Sequence, residues 1–332
     1  MTTPPSILVC DDISRVGLEL LDRAGFNVIH RAGIGRDELL RRIGDFEVVL
    51  VRSRTRITRE VLAQASKLRL VGRAGYGLDT IDVEAATARG VLVMASPEGN
   101  SVSAAEFAIG LLFAMARNIP QANASMRTGR WDKRRYRGSE ITGKVLGVIG
   151  MGRVGRVVVE RAAALRMRVL VHDPAVSSRE IADAGGEQAG WDELLGSSDF
   201  ITVHVSASDR TRGLIGDAAF ELMKDRVRIV HCSRGGVVDE AALVRALRAG
   251  KVAGAAVDVF EEEPPTGSPL LRMPQVIVTP HLVASTFEAQ INVATTLAEQ
   301  VRDFLSTGEA RGAANPEVLQ RTPAADGSAP AG

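Results

Sequence analysis

Short apolar runs alternate with segments of helical periodicity through the first hundred residues. Apolar positions recur at helical spacing in 16–24 and 38–43, and the apolar runs themselves lie at 7–10, 28–29, 48–51, 70–72 and 91–94. Alternation of this kind is typical of parallel strands joined by crossover helices. The pattern therefore predicts an α/β fold for this part of the chain.

A second series of the same kind begins at Lys144. Before it, 104–116 predicts a long, almost wholly apolar helix, and 127–142 is polar and linker-like. After it, 287–304 predicts a helix that returns to pack on the first domain. The series contains enough predicted strands for a complete doubly wound parallel sheet, at 145–149, 169–171, 200–203, 228–230, 255–257 and 276–278.

Length, charge and cysteine use narrow the class of protein. At 332 residues the chain exceeds one compact core, and 41 basic against 40 acidic residues leave a formal net charge of +1. Nucleic acid and membranes are therefore not expected as partners, and no stretch approaches the roughly 20 apolar residues of a membrane span. Cys10 and Cys232 fit neither a disulfide framework nor a metal site, which indicates a reducing, cytoplasmic compartment and no bound metal.

Three glycines with the spacing G-x-G-x-x-G, Gly150, Gly152 and Gly155, follow the predicted strand 145–149. They permit a tight turn, close approach of the backbone to a pyrophosphate, and close packing of the next helix on the strand. Asp173 closes the following strand, where its carboxylate can bind the cofactor's ribose hydroxyls and repel a 2′-phosphate. No arginine follows in 174–176, so the sequence favours NAD over NADP.

Three side chains with catalytic chemistry follow the ends of three later strands. Arg234 comes just after 228–230, and its planar guanidinium can hold a carboxylate bidentately and polarise the neighbouring carbonyl. Glu263 and His281 come after the next two strands. A carboxylate bonded to imidazole favours the protonated ring and fixes its orientation, which suits a general acid that protonates a 2-keto oxygen during hydride delivery. The placement predicts a hydride-transferring oxidoreductase.

Longer motifs of the chain resemble the D-isomer-specific 2-hydroxyacid dehydrogenases. The resemblance runs from about residue 7 to residue 312 and is strongest toward the phosphoglycerate dehydrogenase branch. It implies a short form without a regulatory domain, so feedback by serine through such a domain is not expected. The matching motifs are VRS at 51–53, GRAG at 72–75, GNSVSAAE at 99–106, GMGRVG at 150–155, RGGVVDE at 234–240, DVF at 258–260 and PH at 280–281.

The resemblance implies a particular division of the chain. It implies a Rossmann nucleotide domain inserted into a flavodoxin-like substrate domain, both built on doubly wound parallel sheets. The substrate domain would take 1–100 and 285–312, and the NAD-binding domain would take 101–284. The remainder, 313–332, is rich in Ala, Pro and Gly and is expected to be a disordered tail. A homodimer held by the NAD domains is also implied.

Roles follow from the resemblance by matching position. Arg234 would bind and polarise substrate, His281 would donate the proton, and Glu263 would be the partner of His281. Asp258 would lie near the nicotinamide amide. The residues expected to line NAD are Gly150, Gly152, Arg153, Val154, Gly155, Asp173, Pro174, Cys232, Ser233, Asp258, His281 and Ala284. Those expected to line the substrate are Arg52, Arg73, Gly75, Asn100 and Arg234.

Four positions depart from the family pattern. Val283 stands where the histidine loop usually has glycine. Either its side chain narrows the cleft beside nicotinamide and substrate, which is the outcome we favour, or the rest of the loop has adjusted to it. His231 stands where asparagine is common, 205–206 replaces a typical Thr-Pro, and Tyr76 occupies a position that is usually small. These departures leave the identity of the hydroxy acid open.

The expected substrate is a small anionic 2-hydroxy or 2-keto acid. Arg52, Arg54 and Arg56 alternate, so they share one face of an extended chain and can bind a phosphate as well as a carboxylate. This favours 3-phosphoglycerate, with reduction of glyoxylate or hydroxypyruvate as the alternative. A different class also stays open, because some proteins with this fold resemble NAD-sensing corepressors or scaffolds. The complete catalytic trio favours an enzyme.

Overall fold

A computed structural model describes residues 4–320. The chain folds into two compact units. Unit 1 runs up to Asn100 and resumes at Thr286, and unit 2 is Ser101–Ser285. Each unit has its own sheet and its own apolar cores.

The helices and strands alternate along the chain as the apolar pattern predicts. The elements of the first part are β1 Ser6–Val9, α1 Arg15–Arg23, β2 Asn27–His30, α2 Arg36–Arg42, β3 Val48–Val51, α3 Arg59–Ala63, β4 Leu70–Arg73, α4 Val83–Ala88 and β5 Leu92–Ala95. Those of the middle part are α5 Ser101–Ala116, α6 Ile119–Arg127, β6 Val145–Ile149, α7 Arg153–Ala164, β7 Arg168–His172, α8 Ser178–Asp183, β8 Glu187–Gln188, α9 Trp191–Ser197, β9 Phe200–Val203, α10 Asp217–Leu222, β10 Val227–His231, α11 Glu240–Arg248, β11 Val252–Val257 and β12 Val276–Val278. The last long helix is α12, Phe287–Thr307.

Both sheets are wholly parallel between their named strands. Unit 1 has a five-stranded sheet in the order β2-β1-β3-β4-β5, which is the flavodoxin-like order. Unit 2 has a seven-stranded sheet in the order β12-β11-β10-β9-β6-β7-β8, which is the nucleotide-binding order 3-2-1-4-5-6 extended by one strand. The predicted fold class is confirmed. Ligands of such sheets bind beyond the carboxyl ends of the strands.

The central strands are buried on both faces because helices cover them. All four residues of β3, β5 and β9 are buried, and β6 and β7 each contain at least three buried residues. Helix α12 packs on α1 within unit 1, as expected from its apolar periodicity. Helix α5 extends from 101 to 116 and buries eight of its residues in the core of unit 2. Buried parallel strands of this kind require the continuous apolar runs seen in the sequence.

The segment after α12 pairs with the edge of the unit 1 sheet. Ala313 forms an antiparallel bridge with Met94, Ala95 N–H donates to the Gly312 carbonyl at 3.1 Å, and Ala314 N–H donates to the Val93 carbonyl at 2.8 Å. Asn315 is 1% exposed, and its Oδ1 accepts the Val93 N–H at 2.8 Å. The prediction of disorder from residue 313 is therefore wrong for 313–320, since a buried amide anchors them. The rest of the predicted tail, 321–332, lies outside the described residues.

The described residues can be compared with the requirements of a membrane-spanning helix and of a metal site. Within residues 4–320, no single helix is long and apolar enough to span a membrane. Helices α5 and α6 reach that length and composition only as a pair, with a bend of 63° between them. The same part of the chain holds no group of three or more His, Cys, Asp or Glu side chains arranged for a metal ion.

Candidate active site

The G-x-G-x-x-G segment forms the tight turn between β6 and α7. Gly150 has φ +89°, a conformation that other residues rarely adopt, and a Cβ at Gly155 would overlap the Gly150 carbonyl oxygen. The strand and the start of the helix can approach this closely only with glycine at both positions. Helix α7 begins at Arg153 with Gly152 as its N-cap and no side-chain cap. The turn therefore presents an open helix N-terminus and a side-chain-free cradle, which fit the pyrophosphate of a dinucleotide.

Asp173 lies at the carboxyl end of β7 and contacts this turn directly. Its Oδ2 accepts the Met151 N–H at 2.8 Å, and its Oδ1 accepts the Ala175 N–H at 2.9 Å. The carboxylate is thus fixed beside the glycine turn, where a ribose hydroxyl can reach it. A cavity of about 390 Å³ opens next to it, lined by His172, Asp173, Pro174, Gln188, Ala189 and Gly190.

The three residues predicted to be catalytic follow three neighbouring strands of unit 2. Strands β10, β11 and β12 are adjacent and parallel, and Arg234, Glu263 and His281 come after their respective carboxyl ends. His281 Nδ1 lies 2.8 Å from Glu263 Oε2, and both side chains are about 40% exposed, at 42% and 39%. Among residues 4–320, His281 Nε2 has no hydrogen-bond partner. An imidazole held at Nδ1 by a carboxylate and open at Nε2 can exchange a proton with a ligand through Nε2.

The loop that carries His281 is organised by Asp258. The Asp258 carboxylate accepts Thr279 Oγ1–H at 2.6 Å, Leu282 N–H at 2.8 Å and Val283 N–H at 3.0 Å, and its main-chain oxygen accepts His281 N–H at 3.0 Å. His281 itself has φ +52°, a conformation uncommon for a side-chain-bearing residue. Complete burial raises the pKa of Asp258, and the three hydrogen bonds oppose that rise. These bonds fix the loop that carries the His281 imidazole.

Arg234 is joined to the Glu263 segment through backbone contact. Its Nη1 donates to the Ser233 carbonyl at 2.7 Å. A Cβ at Gly235 would overlap the main-chain oxygen of Phe260, and Phe260 N–H in turn donates to Glu263 Oε1 at 3.1 Å. The segments that carry Arg234 and Glu263 are therefore packed together without an intervening side chain. Sequence reasoning assigned Gly235 no role, although the Gly-Gly pair could have indicated a close backbone contact.

Two histidines lie at the carboxyl ends of the neighbouring strands β9 and β10. His231, at the end of β10, is 3% exposed, and burial together with the nearby His204 lowers its pKa to about 4. Burial also lowers the pKa of His204 to about 4, and its Nε2 lies 2.9 Å from Thr202 Oγ1. Both rings are neutral near neutral pH. His231 replaces the common asparagine with a larger neutral side chain rather than with a cation.

The expectation that Val283 narrows the substrate cleft is wrong. Its side chain is 7% exposed and packs in the apolar core of unit 2, in the cluster that includes α5 residues, Cys232 and Ile277. Its main-chain oxygen accepts a hydrogen bond from Ser103 Oγ at 3.0 Å, a contact that sequence reasoning did not anticipate. Val283 therefore anchors the histidine loop to the core.

The remaining predicted cofactor residues all belong to unit 2. The Cys232 side chain is in the core, and burial together with the Asp258 charge raises its pKa to about 12, so the thiol stays protonated. Ser233 is also buried. Four further predicted cofactor residues are exposed or partly exposed: Arg153 and Val154 in the first turn of α7, Pro174 after β7, and Ala284 in the loop after β12.

The predicted substrate residues Arg52, Arg73, Gly75 and Asn100 belong to unit 1. Arg52 and Arg73 come at the carboxyl ends of the neighbouring strands β3 and β4. The Arg73 guanidinium donates hydrogen bonds to carbonyl oxygens of the loop that follows β4. Its Nε donates to the Gly77 carbonyl at 2.7 Å, and its Nη1 donates to the Ala74 carbonyl at 3.2 Å. Gly75 has φ +143°, and Asn100 ends a 3-10 helix, Pro97–Asn100.

Comparison with known proteins agrees with this geometry. Residues 109–283 match the NAD binding domain of the D-isomer specific 2-hydroxyacid dehydrogenases. The D-3-phosphoglycerate dehydrogenase of Archaeoglobus fulgidus is 46% identical over 93% of this chain and 59% of its own length, and that of Methanocaldococcus jannaschii is 47% identical over 90% and 57%. The chain thus spans less than two thirds of these relatives.

One solved structure resembles this chain over the full length of its own chain. The glyoxylate reductase from Paecilomyes thermophila superposes with a TM-score of 0.86 at 29% identity, covering 95% of this chain and 100% of that one. The sequence match, the two sheet orders and the glycine turn point to one family. The chain belongs to the D-isomer specific 2-hydroxyacid dehydrogenases.

Proposed function

We propose that this protein transfers hydride between NAD and C2 of a D-2-hydroxy acid or 2-keto acid, with 3-phosphoglycerate as the first candidate substrate. The observation that supports this most is the His281–Glu263 pair, with Nδ1 and Oε2 2.8 Å apart, at the carboxyl edge of a sheet that also carries a dinucleotide turn. Unit 1 would serve as the substrate domain and unit 2 as the NAD-binding domain.

The chain's own residues account for the proton and the charge in this reaction. NADH supplies the hydride when it is bound. His281 Nε2 would give a proton to the 2-keto oxygen during reduction and accept it during oxidation, while Glu263 holds the ring at Nδ1 and stabilises its protonated form. Arg234 would bind the substrate carboxylate and polarise the carbonyl beside it.

The preference for 3-phosphoglycerate rests on charge as well as on the names of the relatives. Arg52, Arg54 and Arg56 lie within one short loop of unit 1, and none of their side chains has a hydrogen-bond or ion-pair partner among residues 4–320. Unpaired guanidinium groups suit a ligand with both a phosphate and a carboxylate. The second candidate is glyoxylate or hydroxypyruvate reduction, favoured by the structural likeness to a glyoxylate reductase.

We also propose a homodimer through the NAD-binding units, in the cytoplasm. Apolar side chains are exposed along α5, α6 and the following loop, including Val102 at 53%, Ile119 at 53%, Met126 at 50% and Trp131 at 82%. A second copy of this face would cover them. Both cysteines are buried free thiols, as suits a reducing compartment. Light scattering of the intact protein, with Trp131→Glu expected to weaken the dimer, tests the assembly.

The proposed activity is tested with a substrate panel followed by NADH absorbance. Wild-type protein should oxidise 3-phosphoglycerate more efficiently than D-lactate, and the reverse reaction is assayed with glyoxylate and hydroxypyruvate. His281→Asn should lower kcat by roughly a hundredfold or more while leaving the Kd for NADH nearly unchanged. His30→Asn, at an exposed position on β2, is the matched control and should keep full activity. Equal turnover in His281→Asn would remove His281 from the mechanism.

A further inference from the structure

Asp11 lies two residues beyond the end of β1, and it is 3% exposed. We propose that Asp11 is the positioning residue for the arginine loop, defined as residues 52–56, which follow β3 and carry Arg52, Arg54 and Arg56. The inference rests on the proposed function, in which this loop binds the anionic groups of the substrate. It concerns a residue that sequence reasoning did not single out.

The Asp11 carboxylate holds the arginine loop at both ends of its first turn. Oδ2 accepts the main-chain N–H of Arg52 at 2.5 Å and that of Thr55 at 3.2 Å. Oδ1 accepts Thr55 Oγ1–H at 2.7 Å, and Thr55 is itself buried. An ionised carboxylate only accepts, and such bonds are stronger than those between neutral groups. Three donors of the loop therefore depend on one buried side chain.

The hydrogen bonds to Asp11 order the backbone of the arginine loop without pairing the guanidinium groups of its arginines. The Asp11 oxygens are engaged by the Arg52 and Thr55 donors, and the guanidinium groups of the loop have no partner among residues 4–320. A carboxylate that instead paired with a guanidinium would compete with an anionic ligand for it. Asp11 thus fixes the backbone from which the arginines project and leaves their charges available to an external anion.

Asparagine has nearly the same side-chain shape as aspartate, but it cannot accept hydrogen bonds from all three donors of the arginine loop. The amide nitrogen of asparagine is a donor, so it would face the loop's own donors and leave at least one of them without an acceptor. The arginine loop should then adopt a wider range of conformations. Guanidinium groups that are no longer held in place bind the anionic groups of the substrate less tightly in the ground state and in the transition state alike, so KM should rise while kcat changes little.

Glu47 offers a matched control in the same unit. Its Oε2 accepts the Ser6 N–H at 3.1 Å, so it also joins the β1 and β3 segments across 41 residues of sequence, but at the amino ends of the strands. Glu47→Gln removes a similar carboxylate at a distance from the arginine loop. Thr55→Val removes the hydroxyl bond alone, and Thr55→Ser retains it.

The experiment compares these variants as full-length protein with saturating NAD. Asp11→Asn should raise KM for 3-phosphoglycerate about tenfold or more, with kcat and the Kd for NADH changed by less than about threefold. Thr55→Val should show a smaller rise, Thr55→Ser should raise KM less than Thr55→Val does, and Glu47→Gln should resemble wild type. Hydrogen exchange of the Arg52 and Thr55 amides should be faster in Asp11→Asn and unchanged in Glu47→Gln.

The two measurements separate failure of this inference from failure of the proposed function. Unchanged amide exchange in Asp11→Asn overturns the positioning role, whatever the activity. Faster exchange with an unchanged KM shows that the loop is ordered by Asp11 but does not bind the substrate, which also overturns it. If wild type turns over no hydroxy acid, the proposed function fails, and 3-phosphoglycerate binding measured by calorimetry then decides whether Asp11→Asn weakens anion binding.

Discussion

Gly235 lies directly against the main-chain oxygen of Phe260, so the segments bearing Arg234 and Glu263 touch through backbone atoms. Phe260 also donates its N–H to Glu263 Oε1 at 3.1 Å. The position of Arg234, which we propose to bind substrate, is thereby tied to the position of the Glu263 carboxylate, which contacts His281. A change at residue 235 should separate two groups that act together.

Gly235→Ala is expected to lower kcat/KM by roughly a hundredfold, because the added Cβ forces the two segments apart. Steady-state kinetics on 3-phosphoglycerate measure this, and circular dichroism confirms folding. Gly196→Ala is the control, since a Cβ there meets only the Leu222 oxygen at an ordinary 3.7 Å. Equal losses in the two variants would contradict the role of the contact.

His231 should make stability depend on pH. Its folded pKa, about 4, is below the ordinary value of 6.5, so the unfolded chain takes up a proton first as the pH falls. The stabilisation is fully present above pH 6.5 and is lost progressively toward pH 4, on the order of 3 kcal/mol at most for such a shift.

His231→Asn should therefore show a smaller fall in Tm between pH 7 and pH 5 than wild type does, by roughly 5 °C. Differential scanning calorimetry at several pH values measures the difference. His30→Asn, at an exposed position, serves as the control. Parallel curves for His231→Asn and wild type would show that the buried ring does not govern acid stability.

Val283→Gly should destabilise the protein rather than widen its specificity. The side chain is 7% exposed in the core of unit 2, and its loss leaves a cavity and a more flexible histidine loop. We expect a loss of about 2–4 kcal/mol in the free energy of unfolding and lower kcat on every substrate. Urea denaturation and a substrate panel measure both, and an altered ratio of specificities at unchanged stability would argue for a cleft position.

Asp173 should govern cofactor choice. We expect wild type to prefer NAD clearly over NADP, because the carboxylate opposes a 2′-phosphate. Asp173→Ala should lower kcat/KM for NAD and narrow the preference, and it also leaves Met151 N–H without its acceptor. Asp183→Ala, at the end of α8, is the control. Comparable efficiency with NADP in the unmodified protein would refute the assignment.

Most strands were predictable because a buried parallel strand needs an apolar run. Strand β8 was missed since Glu187 and Gln188 are exposed and polar, and only their pairing with Leu170 and Val171 makes them a strand. The sequence predicted which residues follow the strand ends at the site, but it did not predict the directions in which their side chains point. Val283 packs in the core of unit 2, and His281, two residues before it, has a φ of +52° that no sequence pattern predicts.

The antiparallel pairing of 312–315 with β5 bears on solubility. Strand β5 is at the end of its sheet, where open N–H and C=O groups form a template for another chain. Gly312, Ala314 and Asn315 occupy those groups at Ala95 and Val93. Cleavage after residue 310 would uncover a buried apolar edge, so limited proteolysis at this point should convert a dispersed protein into one that self-associates through its sheet.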